Sequence, residues 1–231
     1  MFLEKIINYY RQFGLARTVC HSLARVGFAF YYRKMLFYEK DLCQLNGDPH
    51  REFTGMHLEH IDEEKLKAID NYYDGWRTKD GALRRLQKGY QLFSLKEHTE
   101  RLSYIWVDTG STEVPYLQLR FPLPEGHSCL AYLYTVKDHR NRGVATLSTQ
   151  RTMRLFGEKG YTRMISFVLP KNVTVQRVNQ KLGFRRFGAC TYIRILFLKI
   201  YVCRSLFANR RKLFFPLGKN SSRLLNSFSK S

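Results

Sequence analysis

The stretch that most constrains this chain is Cys129–Ala145, CLAYLYTVKDHRNRGVA. Leu130 to Val136 reads as an apolar and aromatic strand, Lys137 to Arg142 as a short polar loop, and Gly143 as the point where a helix starts. A strand, a glycine-containing turn and a helix N-terminus together make an anion site. Orphan backbone N–H groups point out of the helix end, and the helix dipole favours negative charge there. Gly143 lets the backbone approach a ligand with no Cβ in the way. Arg140 and Arg142 add side-chain charge beside those amides. The ligand these features select is a phosphate group, and a pyrophosphate in particular. The plain alternative is an ordinary strand–helix turn, since short motifs of this kind recur by chance.

Charge points the same way. The chain has 231 residues and a formal net charge of +20, and its last acidic residue is Glu158. Residues 137–190 hold twelve lysines and arginines against two acids, and residues 191–231 hold nine against none. Such a field attracts anions: phosphates, an anionic substrate, lipid headgroups or nucleic acid. No nucleic-acid-reading motif is present, which makes nucleic acid the weaker partner. Hydrophobic residues make up 44% of the chain and aromatics 15%, enough for a packed core. No apolar run reaches the roughly 18 residues of a membrane-spanning helix. Glu4, Arg11 and Arg17 interrupt the start, so no secretory signal is read there and a cytoplasmic protein is expected, with peripheral contact at an anionic membrane as the variant. The five cysteines (Cys20, Cys43, Cys129, Cys190 and Cys203) are scattered and form no Cys-x-x-Cys pair, so reduced thiols are expected, with no disulfide and no metal site.

In chain order, residues 1–34 read as an amphipathic helical extension with Phe2, Leu3, Ile6, Ile7 and Tyr10 on one face. A first strand is expected over 35–42 and a second over 52–58. A helix starting at Asp62 and ending before Gly75 follows, then a shorter one over 81–88. Strands are expected at 90–96, 102–107, 114–121 and 130–136, a helix at 144–156, a strand at 164–169, a helix at 173–182, and one or two final strands within 190–203. Residues 35–206 thus form one mixed α+β domain, a largely antiparallel sheet with helices covering it. Residues 207–231 read as a basic tail, its last dozen or so disordered.

Two motifs in this order resemble a known family. Arg140, Gly143 and Ala145 fit Arg/Gln-x-x-Gly-x-Gly/Ala, and the segment Asn172–Phe184, NVTVQRVNQKLGF, fits Asn-x-x-Ala/Ser leading to Lys-x-Gly-Phe. Both resemble the acyl-CoA signatures of the GNAT superfamily of N-acetyltransferases, with one helix and one strand between them. The resemblance covers about Met35 to Val202. It implies a GNAT-like mixed, mostly antiparallel sheet in which the strand ending at Val136 splays from strand 164–169. Acetyl-CoA would sit in the V. Backbone groups near Tyr134 and Val136 would hold the pantetheine and thioester. Arg140, Asn141, Arg142, Gly143, Val144 and Ala145 would hold the pyrophosphate, and Asn172 would contact the pantetheine arm. The implied reaction is direct acetyl transfer to an amine, with a base taking the amine proton and an acid protonating the thiolate.

The chain departs from the family at one position. Many members carry tyrosine seven residues after the motif asparagine, where it can protonate the thiolate. Here Asn179 stands there, able to hydrogen-bond the cofactor but not to act as an acid. Tyr134, Tyr132 and Tyr192 are candidate replacements, with Tyr134 preferred. Glu113 is the preferred base over His127 and Asp108, each of which also reads as a solvated turn or edge residue. The reading from another class is a membrane- or nucleic-acid-associated binding protein that keeps the fold with weak or no catalysis.

Overall fold

Eleven strands and four α-helices are seen in the computed structural model, which describes residues 31–43, 55–70, 72, 78–195, 198–205 and 211–214. Nine strands form one sheet: β1 (Tyr31–Asp41), β2 (Met56–Ile61), β3 (Gln91–Glu97), β4 (Glu100–Thr109), β7 (His127–Thr135), β8 (Arg163–Val168), β9 (Arg185–Ile195), β10 (Leu198–Ser205) and β11 (Arg211–Phe214). Their order across the sheet is β11-β10-β9-β1-β8-β7-β4-β3-β2. Every neighbouring pair is antiparallel except β7 and β8. A separate hairpin, β5 (Ser111–Val114) and β6 (Leu119–Pro122), lies between β4 and β7 in the chain. The helices are α1 (Glu63–Ala68), α2 (Lys79–Gln87), α3 (Val144–Glu158) and α4 (Val173–Lys181).

Side-chain alternation along the strands builds two apolar layers. On one face Leu92, Tyr104 and Trp106 pack with Leu66 of α1 and Ala82 of α2, and Ile165 and Cys129 pack under Val114, Leu117 and Phe121 of the hairpin. On the other face Phe93, Ile105, Leu130, Met164 and Val168 pack with Met153 and Phe156 of α3. The sheet is therefore covered by α1, α2 and the hairpin on one side and by α3 and α4 on the other.

Local signals explain most element ends. Asp62 caps α1, its Oδ1 accepting from Lys65 N at 2.8 Å, and Thr78 caps α2 through Gly81 N at 3.2 Å. At the end of α4, Phe184 N–H donates to Asn179 O at 2.9 Å and Gly183 N–H to Gln180 O at 3.0 Å, with Gly183 at φ 73. This is the Schellman closure that a left-handed glycine permits.

Several expectations need correction. Tyr31–Lys34 belong to β1 and not to a helix, because their partners Thr191–Arg194 extend the ladder that far. The rest of the expected extension, residues 1–30, lies outside the described residues, as does most of the expected tail. Residues 211–214 of that tail form β11. The helix after Asp62 stops at Ala68. Residues 114–121 are not one strand: Pro115 starts a 3-10 turn over Pro115–Leu117 and Gln118 takes a left-handed φ of 51, folding the segment back on itself. The expectation of reduced thiols fails for one pair. Cys190 and Cys203 stand directly opposite across β9 and β10 with Cα atoms 4.1 Å apart, and they form a disulfide.

The hairpin turn is tied to the sheet by two tyrosines. Tyr201 OH donates to Leu117 O at 2.9 Å, Tyr192 OH donates to Gln118 Oε1 at 3.0 Å, and the rings stack with centroids 4.9 Å apart. Burial pushes the Tyr201 hydroxyl up to about 12, with Tyr192 adding to the shift. The native state therefore keeps its proton beyond the ordinary value of 10.0, so this stabilisation is fully present below that pH and is lost as pH rises towards 12. Tyr201→Phe should cost about 1 kcal/mol at neutral pH and flatten the alkaline loss of stability, as read by denaturant unfolding across that range.

Candidate active site

The site begins with a ladder that stops. β7 and β8 pair in parallel from His127↔Arg163 to Leu130↔Ser166 and no further, although β7 runs on to Thr135 and β8 to Val168. On its other edge β7 carries a bulge. Trp106 pairs with Tyr132 and Val107 with Leu130, leaving Ala131 as the extra residue. A bulge adds twist and bends the strand, which turns the end of β7 away from β8. Between the two strands lies a cavity of about 540 Å³.

The cavity reaches both faces of the sheet. On the α3/α4 side its wall includes Thr149, Ser166, Asn172, Val175 and Asn179. On the hairpin side it includes Arg85, Glu113, Tyr116 and Tyr132. Ser166 is a polar residue among core positions, between Met164 and Val168 on the same face of β8, and it is 3% exposed. Asn179, 1% exposed, donates from Nδ2 to Ser166 Oγ at 3.4 Å. Asn172 caps α4, its Oδ1 accepting from Val175 N at 3.2 Å, and lines the cavity at the same time.

At the open end of the V the chain passes through a 3-10 turn, Lys137–His139, into α3. Asn141 and Gly143 both take left-handed backbone, φ 62 and 79, and no side chain caps the first turn of this 15-residue helix. Its orphan amides therefore face outward with the positive end of the dipole. Arg140 Nε donates to Thr135 O at 3.2 Å, and its guanidinium lies 5.6 Å from the centre of the Tyr134 ring. Arg142 Nη1 meets His139 Nδ1 at 3.3 Å, and His139 Nε2 meets Glu100 Oε1 at 2.8 Å. Two arginines are thus held at the loop by its own neighbours.

At the closed end on the hairpin side sits a buried ion pair. Arg85 Nη2 donates to Asp108 Oδ1 at 2.8 Å and Oδ2 at 3.1 Å, and Thr112 Oγ1 donates to Asp108 Oδ2 at 2.5 Å. Asp108, expected at a solvated turn, is fully buried. Cys129 is fully buried beside this cluster, and burial pushes its thiol well above the usual thiol range, with the nearby Asp108 charge adding. It is no nucleophile, since reactivity belongs to the thiolate.

Of the residues singled out from sequence, Glu113, Asn172 and Asn179 come together at the cavity. Arg140–Ala145 form the loop that leads from β7 into α3 and are not part of the cavity lining. Tyr134 shares a face with Tyr132 but packs against the α1/α2 core, and neither it nor Val136 lines the cavity. Tyr192 is committed to the hairpin turn, and His127 lies at the far end of β7 with Nδ1 3.0 Å from Glu125 O. Sequence reasoning missed Arg85 and Ser166. The second had a signal, a serine in the middle of an otherwise apolar strand; the first had none.

Residues 39–185, more than half of the chain, match the Acetyltransferase (GNAT) domain. The chain belongs to the GNAT acetyltransferase family. An X-ray structure of a Drosophila melanogaster protein is similar in fold, with a TM-score of 0.51 at 12% identity over 80% of this chain and 58% of that one. A putative GNAT-family acetyltransferase from Novosphingobium aromaticivorans gives 0.48 at 15% identity over 70% of this chain and 63% of that one. An N-acetyltransferase from Staphylococcus aureus gives 0.41 at 17% identity over 57% and 84%. The chain thus spans less than two thirds of the first two structures. No curated protein sequence matches it.

Cys129 gives a direct check on the packing at the closed end. In native protein treated with maleimide, peptide mapping should find the exposed Cys43 labelled and Cys129 unlabelled until denaturant is added. Labelling of both at equal rates would contradict the buried position.

Proposed function

We propose that this enzyme transfers an acetyl group from acetyl-CoA to an amine. The observation that carries the proposal is the parting of β7 and β8 beyond Leu130 and Ser166, opening towards the uncapped N-terminus of α3. A phosphate held by the Asn141–Ala145 amides, with charge from Arg140 and Arg142, leaves the rest of an extended ligand to run along the unpaired edge of β7. Asn172, Val175 and Ser166 flank that path. Bound there, acetyl-CoA supplies an acyl group activated as a thioester.

The protein's own groups divide the proton work. The Glu113 side chain makes no hydrogen bond or ion pair among the described residues, its backbone pairs with Arg120 in the hairpin, and it lines the cavity on the hairpin side. It accepts the proton that the amine loses on attack. On the other side Ser166 Oγ receives Nδ2–H of Asn179, which leaves the serine proton to be donated into the cavity. Ser166 therefore supplies the hydrogen bond that a departing thiolate needs, in place of a tyrosine on α4. Val168 and Leu133 line the same gap and exclude water.

Two substitutions test this. Gly143→Val forces a β-branched residue into left-handed backbone at the loop, and calorimetry should show acetyl-CoA affinity lowered at least tenfold, about 1.4 kcal/mol, in a folded protein. Ser166→Ala should lower kcat by about 10- to 100-fold with the acetyl-CoA KM little changed, and Asn179→Ala should lower it less. The second reading, a fold retained for binding without catalysis, is favoured by Asn179 at the tyrosine position. It predicts acetyl-CoA binding with no thiol release across a panel of amines.

A further inference from the structure

Arg85 is a buried arginine on the hairpin side of the cavity. It is 9% exposed, yet it reaches the cavity wall. Its guanidinium is fixed on three sides: 3.9 Å from the centre of the Tyr90 ring, 5.3 Å from the Trp106 ring, and hydrogen-bonded to Asp108. Only Nη2 makes that bond, to both carboxylate oxygens, and Thr112 holds one of those oxygens from the other side. Nε of Arg85 is buried and has no partner. The Tyr90 hydroxyl beside it is also buried without a partner. Its proton is held more tightly than usual, by burial first and then by the nearby Glu113 and Asp108 charges. Buried polar groups are nearly always satisfied, and an unpaired one calls for an explanation.

The unmet groups describe their complement. Tyr90 is not on the cavity wall, so the ligand-facing group is Arg85, whose Nε–H is a donor only and suits an oxygen that accepts. Glu113, on the same wall, is an acceptor and suits an N–H. The ligand therefore presents acceptor oxygens and an amine close together. Charge narrows it further: Arg85 and Arg120 balance Asp108 and Glu113 around this end, so a zwitterion leaves the site neutral while a polyamine or a basic peptide does not. Tyr116, 48% exposed, and Pro115 flank the opening with apolar surface.

Resting on the transfer chemistry proposed above, we infer that the acceptor is a free apolar α-amino acid, its carboxylate on Arg85 and its amine on Glu113. The amine nitrogen bonds to the acyl carbon as the carbon–sulfur bond breaks. Glu113 takes one proton from the zwitterion's ammonium to free the attacking amine. The second proton, released from that nitrogen on attack, passes to the thiolate. The products are the N-acetyl amino acid and the CoA thiol, and Glu113 returns its proton to solvent. Arg85 is then the residue that sets specificity, and Asp108 and Thr112 position it.

The test uses the full chain at saturating acetyl-CoA, with phenylalanine, phenylalaninamide, phenethylamine and the peptide Phe-Gly-Gly as acceptors and product quantified by chromatography. Phenylalanine should exceed the other three in kcat/KM by at least 100-fold. Arg85→Lys keeps a cation on Asp108 while removing Nε–H. It should reduce that preference to tenfold or less, through the phenylalanine KM, with acetyl-CoA affinity unchanged in calorimetry. Equal or better use of the amide, the amine or the peptide overturns the inference while leaving acetyl transfer standing. So does an Arg85→Lys protein with undiminished preference, and so does wild-type protein that acetylates none of the four. Acetyl-CoA binding is read separately in calorimetry, so loss of the earlier proposal is told apart from loss of this one.

Discussion

The rest of the site depends on hydrogen bonds that β7 and β8 do not make. Two neighbouring parallel strands would ordinarily pair along their shared length, and here the ladder stops at Leu130 and Ser166 while both strands go on. Leaving backbone groups unpaired in the middle of a nine-stranded sheet is costly unless something else meets them. The sheet holds this gap open because each strand is anchored on its other edge: β7 along β4 from Ser103 to Thr109, and β8 along β1 from Leu36 to Asp41. The bulge at Ala131 supplies the bend.

That gap explains why polar residues stand inside apolar layers. Ser166 and Asn179 are buried between Met164, Val168 and the α4 packing, and Arg85, Asp108 and Thr112 are buried between Trp106 and the hairpin. Replacing a buried ion pair by well-packed apolar residues is often neutral or stabilising, so the cluster is poorly explained by stability alone. Each set has members at the cavity wall, one on either face of the sheet. The cavity is thus lined by polar side chains from both faces of the sheet.

The β5–β6 hairpin links this chemistry to the fold. Leu117, Val114 and Phe121 bury it against β1, β8, β9 and β10, while Glu113 and Tyr116 on the same short segment line the cavity. Tyr192 and Tyr201, from β9 and β10, hold its turn by hydrogen bonds to Gln118 and Leu117. The position of Glu113 thus depends on strands more than seventy residues later in the chain.

Much of this was legible in the chain itself. The strand–loop–helix run at 129–145, the cap at Asp62, the Asn172 cap and the Gly183 closure are local, because each rests on backbone conformation and hydrogen bonds within a few residues. The apolar runs expected as strands over 90–96, 102–107 and 164–169 correspond to β3, β4 and β8, and the two spaced motifs pointed to the family. Other features only the tertiary structure decided. The break at Pro115–Gln118 turned an apparent strand into a hairpin, the register of β9 on β10 brought Cys190 to Cys203, and β1 lengthened because β9 was there to pair with it. Arg85 meets Asp108 across 23 residues, and Asn179 meets Ser166 from a helix to a strand. The physical reason is the same in each case: local pattern sets what a segment prefers, while contacts between distant segments depend on register and layer order, which no single segment encodes.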